Sequence, residues 1–145
     1  LLSVDHNEPK HICEAIRSRR GGSLNKLDRM LLHSPVVAEG WNVFFGKLRD
    51  ETILPAKLRE LAICVVAIIN GASYELEAHA PLLKKAGADK KQTQQILNVG
   101  SKVFKAQCFS ELEREVISFT IQMTRDIKVS KILKSKLQKS LVLAN

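Results

Sequence analysis

The sequence predicts an all-α fold, and three observations predict it. Apolar residues recur at helical spacing in one segment after another. Proline, glycine and serine fall between those segments as start and stop signals. The strict alternation of a half-buried strand hardly occurs. A chain of 145 residues, 45% hydrophobic, with seven glycines and four prolines, suits one domain over 1–145 with one core.

Roughly six to seven helices can be written down in order. Leu24, Leu27, Leu31 and Leu32 follow the Gly21-Gly22-Ser23 break. Ser34 then serves as cap and Pro35 as first helical residue for a helix with Val36, Val37, Ala38, Trp41, Phe44, Phe45 and Leu48 on its apolar side. Pro55 opens the next helix, which is almost continuously apolar from Leu61 to Ile69 and reads as a central element. Its β-branched residues also suit a buried strand, but its length and its Pro-Ala-Lys-Leu-Arg-Glu start favour helix. Asn70-Gly71 ends it, since both residues tolerate a left-handed backbone.

Ser73 is the expected cap of the following helix, in which Pro81 should cause a bend and Gly87 a stop. Asp89 begins a short helix with Ile96, Leu97 and Val99 apolar. Ser110-Glu111-Leu112-Glu113 reads as a capping start for a helix to about Thr124, with Leu112, Val116, Phe119 and Met123 inward, and Ile117 and Ile121 beside them. Ser130 to Leu143 closes the series, with Ile132, Leu133 and Leu137 apolar and the lysines outward.

Composition removes several function classes. The longest apolar run, Ile63 to Ile69, is far too short to span a bilayer, so no membrane role is expected. Leu1 to His6 lack the basic start and apolar centre of a secretory signal, and the missing initiating Met suggests a trimmed chain. Cys13, Cys64 and Cys108 are odd in number and far apart, which implies no disulfide framework, no zinc spacing and a cytoplasmic setting. The formal charge of +8 comes from 23 basic and 15 acidic residues. Its one concentrated stretch, Lys128, Lys131, Lys134, Lys136 and Lys139, has neither arginine nor aromatic interleaving. That pattern supports phosphate attraction but no base reading, so a solubilising helix face is the expected role.

Candidate chemistry gathers between Arg59 and Gly87. Glu75 and His79 lie four apart, about 40° round a helix and one turn along it. A carboxylate fixes one ring nitrogen of an imidazole and leaves the other to exchange protons. Tyr74 could reach in from the side as a proton donor, and Glu60 could meet the pair from the preceding helix if Gly71 allows an antiparallel turn. With an apolar pocket these residues would make a general acid–base site. Plainer readings stand beside this one. Glu75 and His79 could form only a surface pair, Tyr74 could simply pack, and Glu60 could pair with Arg59 or Lys57. Metal binding by His79 with Glu75 and Glu60 lacks a second histidine, and no cofactor is implied.

The Leu54-Pro55-Ala56-Lys57-Leu58-Arg59-Glu60-Leu61-Ala62 lead-in, the Tyr74-Glu75-x-x-x-His79 core and Ala86-Gly87 resemble the carboxymuconolactone decarboxylase family, whose superfamily includes the alkylhydroperoxidase D enzymes. The likeness runs from about Ser34 to Ser130. It implies an alkylhydroperoxidase D-like helical bundle that joins into trimers or hexamers through apolar faces. In the peroxidase branch a glutamate, a Cys-x-x-Cys pair and a histidine fall at the positions of Glu60, Ala72, Glu75 and His79. Both redox cysteines are thus missing, and thiol exchange needs an attacking thiolate and a resolving partner.

What remains resembles the decarboxylase side, a lyase acting by proton transfer on a small organic (lactone) acid. The resemblance implies Glu60 and His79 as catalytic groups, then Glu75 and Tyr74, with Arg59 for the substrate carboxylate. Related chains often continue past the position of Lys139, so a truncated C-terminus is expected, with Leu137, Leu141 and Leu143 exposed as interface or remnant. The alternatives are a non-catalytic helical oligomer that keeps the fold, or a peroxidase-related protein without its redox cysteines.

Overall fold

The computed structural model describes residues 9–143, and all the regular structure among them is helical. The described residues hold eight α-helices: α1 (Lys10–Arg20), α2 (Lys26–Leu31), α3 (Pro35–Asp50), α4 (Ala56–Ile69), α5 (Ser73–Lys85), α6 (Lys90–Ile96), α7 (Glu111–Asp126) and α8 (Lys131–Leu143). A short 3₁₀ turn, Ala106–Cys108, precedes α7. Contacts group the chain into two compact units, Leu1–Thr52 and Ile53–Asn145. The readings made on Leu1 to His6 and on the Leu143 side chain lie outside the described residues.

In the first unit, Ile12, Cys13, Ile16, Leu24, Leu32 and Ala38 form the core. Helix α1 is the one that the periodicity left unassigned. It has no side-chain cap and no acid in its first turn, so its start carries no signal. Gly21 ends it at φ 81°, in the left-handed region. Asn25 and Asp28 cap α2 reciprocally, and the buried Asp28 also accepts a 2.9 Å bond from Arg20. Ser34 stands at the N-cap position of α3, but its side chain makes no capping bond there.

The second unit holds the long apolar helix at its centre. Helix α4 packs against α5 on one side and α7 on another, burying Leu58, Leu61, Cys64, Val65 and Ala67. Leu61, Cys64, Val65, Leu83, Ile96, Phe109 and Ile117 are the heart of its core. Leu58, Val116 and Leu137 make a smaller cluster through which α8 is held. Leu137 is therefore buried, and the expected exposed end of the chain is at this position a packed one. Leu141 is partly buried against the same cluster.

Other assignments of helix faces also change. Leu97, the C-cap of α6, is 55% exposed, because the neighbouring Ile96 takes the inward position. Met123 is 44% exposed, because the inward line of α7 runs through Glu113, Val116, Ile117 and Thr120. Ala72, not Ser73, occupies the N-cap of α5, and helix continues through Pro81 to Lys85. At the end of α4 only Gly71, φ 64°, is left-handed, while Asn70 stays near the helical region. Lys136 turns toward α7 instead of outward, 2.7 Å from Glu111 and 3.0 Å from Glu115.

Gly100 has φ 82°, and a Cβ there would press into the Arg125 guanidinium. Arg125 can swing away, so the backbone angle sets most of the cost. Gly100→Ala is expected to destabilise by about 1–2 kcal/mol. Chemical denaturation should show a similar loss when Arg125 is also Ala, because removing the side chain leaves the angle unchanged.

Candidate functional site

The three-residue connection Asn70–Ala72 folds α5 back against α4. Gly71 supplies the positive φ, and the Ala72 N–H closes the turn on the Ala67 carbonyl at 2.8 Å. Glu60, in the second turn of α4, and His79, midway along α5, then face one another. Both are buried, at 3% and 7% exposure.

Glu60 Oε2 and His79 Nδ1 are 2.6 Å apart, a buried contact between residues 19 apart in sequence. With Glu60 ionised, the neutral ring donates Nδ1–H to it and keeps its lone pair at Nε2. Glu60 Oε1 accepts a bond from Arg59 Nε at 3.3 Å. On the outer side Glu75 Oε2 lies 3.6 Å from His79 Nε2, an ion-pair distance beyond a hydrogen bond. The Glu75 side chain is 44% exposed. The four residues thus form a line from Arg59 through Glu60 and His79 to Glu75, buried at one end and open at the other. Imidazole held between two carboxylates is suited to accepting and returning a proton.

Tyr74 does not join this line. It is 41% exposed on the first turn of α5 and makes no hydrogen bond to the other four residues. Arg59 is brought to the cluster, but its Nε is bonded to Glu60 and not turned outward for a ligand.

Cys64 lies one turn beyond Glu60 on α4 and is fully buried. Burial, aided by the Glu60 charge, pushes its thiol up to about 11. At neutral pH the sulfur is a protonated, inert core group and no nucleophile.

A second polar cluster supports the α4 end that carries Glu60. Glu113 is 6% exposed and receives Lys57 Nζ at 2.6 Å, Gln92 Nε2 at 2.9 Å and the Ser110 N–H at 2.8 Å. Burial disfavours its charge, yet Lys57 and the Ser110 N–H outweigh that and hold the carboxyl below its ordinary value. Glu113 was legible as the capping-box partner of Ser110, but nothing in sequence marked its bonds to Lys57 and Gln92.

Two open hollows, of about 470 and 240 Å³, lie along α8. One is lined by Lys131, Ile132, Ser135, Lys136 and Lys139, the other by Glu111, Arg114, Glu115, Ser118, Leu133 and Lys136, so neither reaches the Glu60–His79 pair. Among the described residues no group of three or more histidine, cysteine or acidic side chains is arranged to hold a metal ion. No helix among them is long and apolar enough to cross a membrane.

The carboxymuconolactone decarboxylase family model matches residues 35–104, a span that contains Arg59, Glu60, Tyr74, Glu75 and His79. No curated protein and no solved structure matches the chain.

Proposed function

Through residues 35–104 the chain belongs to the carboxymuconolactone decarboxylase family, and from that premise we propose that it is a lyase-type enzyme moving protons on a small organic acid. The observation that carries this reading is the buried 2.6 Å contact between Glu60 and His79. A carboxylate and an imidazole are costly to bury as a pair unless their geometry is satisfied, and such pairs gather at functional sites.

In the proposed reaction a lactone acid loses carbon dioxide. The C–C bond to the carboxylate breaks, and its electron pair passes into the neighbouring lactone carbonyl system. The His79 imidazolium then delivers its Nε2 proton to carbon, and solvent restores that proton. Glu60 holds the ring through Nδ1 and balances its charge, while Arg59 keeps Glu60 in place. No thiol takes part.

Turnover of lactone acids, read as carbon dioxide release, tests the proposal. The wild type is expected to act on at least one acid of a panel that includes 4-carboxymuconolactone. Glu60→Gln should lower kcat by about tenfold to a hundredfold, as expected for loss of a group that orients a catalytic histidine. Silence of the wild type across the panel would overturn this reading.

Self-association into a trimer or hexamer belongs to the same proposal. Helix α3 leaves Val36, Val37, Val43, Phe44 and Leu48 exposed along one side, an apolar surface suited to burial between copies. Light scattering should give three or six times the chain mass of 16.2 kDa. The free thiols Cys13, Cys64 and Cys108 support a reducing, cytoplasmic setting.

A further inference from the structure

His79 Nε2 is the atom that meets substrate on the reading above, and Glu75 is the charged group beside it. The other ring nitrogen is occupied by Glu60 at 2.6 Å, and the Arg59 Nε lies 3.3 Å from Glu60 Oε1, where its charge is set against that carboxylate. Glu75 comes from the same helix as His79, one turn earlier, and stands 3.6 Å from Nε2. The open nitrogen therefore has a carboxylate at its mouth.

We propose that Glu75 is a specificity-determining residue that bars carboxylate groups from His79 Nε2, so that the site takes substrates presenting an uncharged or cationic end to the imidazole. This inference rests on His79 being the proton-transfer group. A carboxylate bonded to Nε2 has to approach to about 2.8 Å, which brings it close to Glu75 around the same nitrogen. Two such charges about 4 Å apart repel by a factor of about five even in bulk water, and by more where water is partly excluded. A carbonyl or C–H end suffers no such repulsion, and an ammonium is attracted. A lactone acid accordingly enters ring first, with its carboxylate directed away from the imidazole. The departing carbon dioxide then leaves on the side remote from the proton donor.

Two alkylating probes of nearly equal size test this. Iodoacetate and iodoacetamide each react by the same displacement: the Nε2 lone pair forms an N–C bond, the C–I bond breaks and iodide leaves. One carries a carboxylate and the other a neutral amide. Each is incubated with the full chain, and alkylation of the His79 peptide is followed by mass spectrometry. The ratio of the iodoacetamide rate to the iodoacetate rate is divided by the same ratio for N-acetylhistidine. Taking the ratio within one protein cancels any change in the ring's own reactivity.

The corrected ratio is expected to be about five or more in the wild type and to fall to about one in Glu75→Gln. Glu77→Gln removes the same charge from an exposed position of α5 and should keep the wild-type ratio. A ratio that Glu75→Gln leaves unchanged overturns the role of Glu75 and leaves the proton-transfer reading standing. If neither probe alkylates His79 while the partly exposed Cys108 reacts, no small molecule reaches Nε2 and both fail.

Discussion

Replacement of His79 by Gln is expected to reduce turnover of a lactone acid by about 10²- to 10⁴-fold, the range for loss of a general acid–base group. The fold should survive. A glutamine amide can donate to Glu60 Oε2 as Nδ1–H does now, so the buried carboxylate keeps a partner. The amide cannot take up and release a proton near neutral pH, and that is the property being removed. The two results have to appear together, with kcat falling while the far-UV circular dichroism and unfolding midpoint stay near wild-type values. Equal turnover in both proteins would place the chemistry elsewhere.

The second large effect is on stability. Glu113→Gln should cost about 2–3 kcal/mol at neutral pH, below the usual 3–5 for breaking a fully buried pair because the Lys57 side chain keeps 27% exposure. Glutamine can still accept from the Ser110 N–H, but the Lys57 ammonium loses its counter-charge. The effect has a definite pH dependence. The folded carboxyl lies below its ordinary value, so the wild type gains stability above the unfolded carboxylate value of about 4.3. That gain disappears as pH falls through the lower, folded value. Urea unfolding at pH 7, 5 and 3.5 should therefore show a gap between wild type and Glu113→Gln that is full at pH 7 and shrinks in acid. A gap independent of pH would mean that shape, not charge, makes Glu113 matter.

Part of the site was legible because it depends on local rules. Asn70-Gly71 marks a reversal between two helices, but whether that reversal brings Glu60 to His79 depends on how α4 and α5 pack, which the 2.6 Å contact supplies. The spacing of Glu75 and His79 gave their shared side directly. Tyr74 was misleading for the same geometric reason: five residues before His79, it lies about 140° round the helix and meets solvent instead. Helix faces at Leu97 and Met123 went wrong where an apolar residue sat one position off the true inward line. Buried acids made this harder, because Glu113 and Glu115 occupy inward positions of α7 that periodicity assigns to apolar residues. Helix α1 had readable marks in Ile12, Ile16 and Gly21, but a Pro9 cap and a basic surface gave no start signal. The Lys57–Glu113 bond joins residues 56 positions apart, and no local pattern encodes such a pair.

One sulfur atom carries a metabolic consequence. Because Cys64 stays protonated within a turn of Glu60, with its thiol raised to about 11, oxidants find no electron-rich sulfur at the heart of this centre. On the proposed reading, proton transfer at this centre has no thiolate for peroxide to attack, and so no step at which thioredoxin or glutathione would have to restore it.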